Sequence, residues 1–339
     1  MHLQAKEFSA FDAQKALFSP LQDKRIFLSG GTGFFGKWLL NSFLYFNKAF
    51  ALNATITVLS RDPQAFLFHY PEFKDEPALV FIQGDVRDFK FPSGKFDFII
   101  HAATEASVAL EQENPDEMHA VIVEGTRRML EFAAQAKASR FMITSSGAVY
   151  GPQPWELSHL PETYGASPVT VYGKAKLLAE QECIEAGNRD GFTVLLPRCF
   201  AFVGPYLNLD IHFAIGNFIR DCLENRPIVI KGDGTPFRSY LYAADLAEWL
   251  WIILLCGTHA RAYNVGSAEG ITIRDLAYRV RDCTRVSNPI EILGVAAPGT
   301  LPARYVPSIE RASSELNLKP RFSLDEAIAQ TWAWHQQGV

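Results

Sequence analysis

Tyr172 and Lys176 stand four residues apart near the middle of the chain, and Ser145-Ser146 come shortly before them. On a helix, positions i and i+4 share one face, so the lysine ammonium would lie beside the phenol. A free tyrosine, with a pKa of about 10, is a poor base at neutral pH. A nearby ammonium stabilises the phenolate and lowers that pKa, and the Ser146 hydroxyl can hydrogen-bond a reacting oxygen. Together these three groups can move a proton while a hydride moves to or from a nicotinamide. Tyrosine and lysine at this spacing also occur by chance in helices, so the pair acquires meaning only beside a cofactor site.

Such a site is legible between Arg25 and Gly36, where the apolar run Ile26-Phe27-Leu28 breaks into Gly30, Gly33 and Gly36. The run suits a buried strand. The glycines would supply a tight turn, close backbone approach and close helix packing, with 37–46 continuing as a helix. A pyrophosphate would sit on that helix N-terminus, where free N–H groups and the helix dipole favour negative charge. Gly30, Thr32, Gly33, Phe34, Phe35 and Gly36 are therefore candidate cofactor contacts. The spacing differs from the standard fingerprint, and glycine also serves such turns for conformational reasons alone.

The elements that position these groups alternate. Residues 54–60 are rich in β-branched side chains and read as a second strand. The dinucleotide fold commonly ends this strand in an acid for the ribose 2′-OH, whereas an arginine nearby accommodates a 2′-phosphate. Here it ends in Ser60 and Arg61, which favours NADP over NAD, NAD remaining possible. The alternative is a solvated loop charge paired with Asp62. Residues 79–83 read as a third strand, followed by Gly84-Asp85-Val86. Residues 96–101 read as a fourth, ending at Ala102-Ala103-Thr104, small enough for a cofactor to lie against the backbone. A helix is expected over 116–136 and a fifth strand over 140–144. Five such alternations predict an α/β fold with a Rossmann-type, doubly wound parallel sheet and a ligand beyond the carboxyl ends of its strands.

At 339 residues the chain exceeds the usual size of one core. Residues 1–24 read as an extension with a short amphipathic helix, 25–200 as the dinucleotide-binding domain, and 201–339 as mainly a smaller α/β substrate domain, with some chain crossing back. The net charge of −5 and the lack of a basic run argue against nucleic acid. Five cysteines without a CxxC pair suit a reducing cytoplasm, and no metal is expected. The first sixteen residues lack the apolar core of a signal peptide, and the most apolar segment, 249–256, is too short for a membrane and reads as a buried helix. Asp245 is placed to cap that helix.

With its strand-end serine and Tyr-x-x-x-Lys, the chain resembles the extended short-chain dehydrogenase/reductase family, specifically the nucleotide-sugar-modifying members. The matching pieces are Gly-Gly-Thr-Gly-Phe-Phe-Gly at 30–36, Gly-Asp-Val at 84–86, His-Ala-Ala at 101–103, Ser-Ser-Gly-Ala-Val-Tyr-Gly at 145–151, and Tyr172 with Lys176. Pro197-Arg198, Val203-Gly204-Pro205, Gly232-Asp233-Gly234 with Arg238, Tyr242 with Asp245, and Tyr263-Asn264-Val265-Gly266 extend the match over nearly the whole chain.

The resemblance implies roles. Tyr172 would be the acid/base, Lys176 would bind the nicotinamide ribose and tune Tyr172, and Ser146 would bind the sugar oxygen. Asp85 and Val86 would hold the adenine. Arg238 would contact the diphosphate of the sugar nucleotide, with Arg304 a second candidate. Gly147 falls where it could face the sugar, as does Glu105, which reads equally well as a solvated loop carboxylate. His101 reads as structural. Cys199 and His212 fall near the expected substrate region, but the members that use a Cys and a His as acid and base present them in other motifs, which weighs against that role here. A homodimer through the helices around 116–136 and 172–187 is also implied.

The departures narrow the reaction. The family's Asn-Val-x-Gly-Thr here reads Ile122-Val123-Glu124-Gly125-Thr126, and a late Asp is replaced by Ser308. Dehydrating members carry an Asp-Glu pair after the active-site hydroxyl residue, and decarboxylating members usually keep a Glu in that loop. Gly147 and Ala148 stand there instead and cannot transfer protons. The expectation is an NADP-dependent reductase acting on the 4-keto group of a nucleotide-linked 6-deoxy sugar, with an NAD(P)-dependent 4-epimerase as the alternative. A dehydratase, a decarboxylase and a non-catalytic NADP-binding sensor rank below these.

Overall fold

A computed structural model describes residues 3, 5–104, 111, 113–211 and 213–337. The first glycine turn joins strand β1 (Arg25–Ser29) to helix α2 (Phe34–Ala49), after a short helix α1 (Ala10–Ala13) in the extension. Then come β2 (Thr55–Ser60), α3 (Pro63–His69), β3 (Leu79–Gln83), β4 (Phe98–His101), α4 (Pro115–Gln135), β5 (Arg140–Ile143), β6 (Ser145–Ser146), α5 (Val171–Asp190) and β7 (Thr193–Cys199). Further on lie β8 (Phe202–Val203), α6 (Ala214–Leu223), β9 (Ile228–Ile230), β10 (Phe237–Arg238), β11 (Leu241–Tyr242), α7 (Ala243–Cys256) and β12 (Arg261–Val265). The chain closes with β13 (Ile271–Thr272), α8 (Ile273–Thr284), β14 (Ile290–Ile292), β15 (Arg304–Tyr305), α9 (Glu310–Leu316) and α10 (Leu324–Gln336).

The main sheet has the order β12-β7-β5-β4-β1-β2-β3, with β6 beside β7. The β1–β2, β1–β4, β2–β3, β4–β5 and β5–β7 pairings are all parallel. This is the expected doubly wound α/β sheet. Its strand order reverses between β1 and β4, the place where such sheets open a crevice for ligand. β1 is central and buried from Ile26 onward, which accounts for its continuous apolar run.

The chain divides into two compact units. The larger comprises 1–149, 168–198 and 247–263, and the smaller 150–167, 199–246 and 264–339. The core of the larger unit runs under the sheet through Phe27, Ile99, Met129, Phe132, Phe141 and Leu196. Trp249 and Trp251 on α7 are fully buried, as expected of a core helix. Trp251 Nε1 donates to Ser42 Oγ at 2.9 Å. In the smaller unit a three-stranded sheet, β13-β10-β15, stands beside the pairs β11-β8 and β14-β9. Among the described residues no helix is long and apolar enough to cross a membrane.

Two local expectations need correction. The extension is not one helix: 3₁₀ turns at Ala5–Glu7 and Lys15–Leu21 flank α1, and Pro20 sits inside the second turn. Its aromatic residues decide its path, because Phe8, Phe11 and Phe18 are buried and Phe18 packs 4.5 Å from the Phe46 ring on α2. Burial of each such ring contributes about 1.5–3 kcal/mol, more than regular helix would. Nor does Asp245 cap α7. Its Oδ2 accepts from the backbone N–H groups of Arg321 (3.0 Å) and Phe322 (3.3 Å), and Arg321 Nε lies 3.2 Å from Oδ1. A fully buried carboxylate needs a cation more than a helix needs a cap.

Candidate functional site

The turn after β1 is shaped by what lies against it. Gly30 has φ +75°, and a Cβ there would come within 2.5 Å of the Ala102 carbonyl and the Ala103 nitrogen, so the ends of β1 and β4 touch at this glycine. Gly36 plays the packing part, since its Cβ would meet Gly31 at 2.3 Å. Gly33 is exposed and, among the described residues, has only the Gly30 carbonyl near its missing Cβ, at 3.4 Å. It precedes α2, whose first turn carries no acid and whose N-cap makes no side-chain hydrogen bond. These N–H groups fit an anionic ligand. Thr32, Phe34 and Phe35 are half-buried around the opening.

At the end of β2, Ser60 is buried and Arg61 is exposed. Asp62 does not pair with Arg61: its carboxylate accepts the Ala65 N–H at 2.9 Å and caps α3. Among the described residues no carboxylate forms an ion pair with Arg61. Its field does reach Asp85, whose carboxyl is held below its usual range chiefly by the side chain of Arg87. Arg87 donates Nε and Nη2 to Asp85 at 2.9 and 3.0 Å, and Nη1 to Glu117 at 2.9 Å. Much of the acceptor capacity expected for an adenine is thus taken by Arg87. Val86 points into the core, where a Cβ on Gly125 would meet its Cγ1 at 2.8 Å, so only its backbone is left for a ligand.

The centre of the site is α5. Thr170 caps it, accepting the Gly173 N–H at 3.0 Å, and Glu111 accepts the Tyr172 N–H at 3.0 Å. Tyr172 is half-buried and Lys176 is buried, with Nζ 5.8 Å from the Tyr172 ring centre. Lys176 Nζ donates to Thr104 Oγ1 at 2.6 Å and to the Thr144 carbonyl at 2.8 Å. The expected face is therefore formed, and strand ends β4 and β5 hold its lysine.

Adjacent strand residues point to opposite sides, and this separates the two serines. Ser145 Oγ donates to buried Glu180, which also accepts Arg198 Nε and Nη2 at 2.9 and 2.7 Å. Ser146 Oγ accepts the Ala148 N–H at 3.2 Å, and its hydroxyl proton has no acceptor among the described residues. Ser146 is thus the hydroxyl left for a ligand. Gly147 begins a 3₁₀ turn, Gly147–Tyr150.

His101 is wholly buried and structural. Thr126 Oγ1 donates to the Ile122 carbonyl at 2.7 Å and so accepts from His101 Nε2 at 3.2 Å, which leaves Nδ1 to accept from Ser29 Oγ at 2.7 Å. Burial, with the Lys176 charge adding to it, pushes the imidazole down to about 3, so it is neutral. Ile122, at the family's Asn position, fills the core instead. Cys199 is buried; Glu105 and His212 lie outside the described residues.

Within the smaller unit, a cavity of about 520 Å3 is lined by Phe218, Arg220, Val229, Lys231, Arg238 and others. Arg220 is engaged by Asp210 and Asp221. Lys231 and Arg238 meet no carboxylate among the described residues. Arg304 does not join Arg238. The parallel register pairs Phe237 with Arg304 and Arg238 with Tyr305, which places the two arginines on opposite faces of the small sheet. Arg304 lies 4.2 Å from the Trp155 ring centre and 5.2 Å from that of Phe237. Here too Tyr150 Oη donates to Asn264 Oδ1 at 2.8 Å, joining the segments 145–151 and 263–266.

Known proteins share this pattern. The model of the NAD dependent epimerase/dehydratase family matches residues 26–266. UDP-glucuronic acid decarboxylase 1 of Arabidopsis thaliana is 29% identical over 316 residues, covering 90% of this chain and 68% of the relative. A UDP-N-acetylglucosamine 4-epimerase from Methanobrevibacter ruminantium M1 superposes with a TM-score of 0.82 at 20% identity, covering 94% of this chain and 100% of the other. DesIV, a dTDP-glucose 4,6-dehydratase from Streptomyces venezuelae with NAD and TYD bound, gives 0.80 at 23% identity, covering 92% and 97%. The glycine turn at the β1–β4 switch point, the Tyr172–Lys176 face and this match over most of the chain lead to one conclusion: the protein belongs to the NAD-dependent epimerase/dehydratase family, the nucleotide-sugar group of the extended short-chain dehydrogenases/reductases.

Proposed function

We propose that the protein is an NADP-dependent reductase of the 4-keto group of a nucleotide-linked 6-deoxy sugar. The observation that carries this reading is a proton-transfer set in which the loop after Ser146 holds no carboxyl group. Lys176 is anchored beside Tyr172, the Ser146 proton has no acceptor among the described residues, and Gly147 and Ala148 occupy the loop where dehydration and decarboxylation need carboxyl groups. The decarboxylase names among the relatives speak for a nucleotide-sugar substrate. That loop speaks against their reaction.

The open face of Gly33 and the uncapped start of α2 fit a pyrophosphate, and exposed Arg61 would neutralise a 2′-phosphate. A bound nicotinamide would supply the hydride that arrives at the sugar carbonyl carbon. Ser146 would donate to the carbonyl oxygen and hold it. Tyr172 would give that oxygen its phenolic proton, leaving a phenolate stabilised by the Lys176 ammonium and reprotonated from solvent. Lys231 and Arg238 would meet the diphosphate in the cavity of the smaller unit. The active species would be a homodimer joined through α4 and α5, with a dimer mass in solution as its check.

The test is a panel of sugar nucleotides and their 4-keto derivatives, followed by the absorbance of NADPH. Stoichiometric oxidation with a 4-keto compound, abolished in Tyr172→Phe while NADPH still binds, supports the reading. Full activity in Tyr172→Phe overturns it. Interconversion of C4 epimers without net NADPH oxidation selects the epimerase instead.

A further inference from the structure

The cavity of the smaller unit has two regular walls. On α6, Ala214, Asn217, Phe218 and Asp221 recur at helical spacing and line one side. On the other, the parallel register sets Glu291 of β14 opposite Val229 of β9, so the two side chains leave that strand pair on one face, and Lys231 follows two residues after Val229. Phe218, Val229 and Ile273 supply the apolar surface that a flat ring needs. With Lys231 and Arg238 assigned to the diphosphate, the polar groups left in these walls are acceptors. Asn217 spends both amide N–H groups, on the carbonyls of Leu209 at 2.8 Å and Ile211 at 2.7 Å, which leaves only Oδ1. Asp221 is held by Arg220 and Arg226. Glu291 is exposed and forms no ion pair among the described residues.

We infer that Glu291 reads the base of the sugar nucleotide and that this base is guanine. A carboxylate presents two acceptor oxygens side by side, which match a pair of parallel N–H donors. Guanine carries such a pair, N1–H and the N2 amino group, on one edge. Uracil and thymine show a single N–H between two carbonyl oxygens, which a carboxylate repels. Cytosine and adenine place one amino group beside a ring nitrogen that is itself an acceptor. A carboxylate in the wall of a cavity that receives an anionic diphosphate costs affinity unless the ligand brings donors to it, and guanine brings two. Glu291 acts in this way only if the cavity holds a sugar nucleotide, as proposed above, but its role does not depend on the reaction at C4.

The test is calorimetric titration of the full-length protein with GDP, UDP, CDP and dTDP. GDP should bind at least about tenfold more tightly than the other three. Glu291→Gln keeps the size of the side chain but puts an amino group where one acceptor stood. It should weaken GDP by roughly 10- to 150-fold and leave the other diphosphates unchanged or slightly tighter. Glu291→Ala should lose the same preference, and thermal unfolding of both variants checks that the fold is intact. Tighter binding of UDP, CDP or dTDP, no preference among the four, or a GDP affinity that neither variant changes overturns the role of Glu291 and leaves the sugar-nucleotide reading standing. Equal losses for all four diphosphates in Glu291→Gln overturn it as well. If no diphosphate binds, both fall. If GDP binds as expected but no 4-keto sugar is reduced, the proposed reaction falls and the role of Glu291 stands.

Discussion

Gly173 lies directly on the carbonyl of Ala148: a Cβ at 173 would come within 2.7 Å of that oxygen and 3.0 Å of Pro168 Cβ. The residue after the proposed acid/base therefore touches the loop that carries Ser146. Alanine is the better helix former, yet Gly173→Ala should destabilise the protein by about 1–3 kcal/mol, because a backbone carbonyl cannot step aside cheaply. Turnover should fall further than stability explains, which is checked by comparing initial rates well below the unfolding temperature. A more stable and fully active variant would show that the helix has slack.

Cofactor choice is expected to rest on Arg61. Losing a charge-assisted contact costs about 1.5–3 kcal/mol, so Arg61→Ala should weaken NADPH binding by roughly 10- to 150-fold and leave NADH nearly unchanged. Fluorescence titration with both cofactors measures the ratio. Equal losses for the two would locate the 2′-phosphate elsewhere.

Stability should fall below pH 6.5 before the carboxylates protonate. The folded-state value of His101 is depressed to about 3 from an ordinary 6.5, so the unfolded chain takes up a proton that the fold refuses. Its contribution is complete above pH 6.5 and is lost as pH falls toward 3. Asp85 and Asp97, which are also held low, act in the same direction only below the ordinary Asp value of 3.8. Urea unfolding between pH 7 and 4.5 should show the decline in the wild type and a flatter profile in His101→Gln.

Glu180 and Arg198 form a nearly buried ion pair, with 3% and 11% of their side chains exposed. Glu180→Ala removes the carboxylate that accepts two N–H groups of the buried Arg198 guanidinium and should cost about 3–5 kcal/mol. Combining it with Arg198→Met should recover part of that loss. A double-mutant cycle in denaturant separates the coupling from the packing.

What the sequence disclosed was local chemistry. The turn at Gly30 and the Tyr172–Lys176 face were readable because each depends on residues close together in the chain, and the parallel sheet because strands and helices alternate along it. Pairings across long separations were not. Nothing near Asp245 announces that its partner is Arg321, and helix capping was the reasonable local reading. Arg304 reads from the sequence as a second candidate behind Arg238, and only the register of two-residue strands puts the two on opposite faces. Glu180 carried a usable signal: it lies eight positions beyond Tyr172 and four beyond Lys176, on the same helical face, and Arg198 is the only charged residue in β7. The choice between Ser145 and Ser146 was likewise available from strand alternation.

Three successive turns of α5 each reach a strand end or the loop beyond one, through Gly173 to Ala148, Lys176 to Thr144, and Glu180 to Ser145. The helix therefore works as a ruler with three marks, and its tolerance to change in length differs sharply from its tolerance to substitution. One inserted residue between 173 and 180 would rotate everything after it by about 100° and carry Lys176 or Glu180 off its mark. The same insertion after Gly191, where the helix has ended in a left-handed cap, would shift no mark at all. This stretch of the protein can drift in side-chain identity along its outer face, but its length is locked.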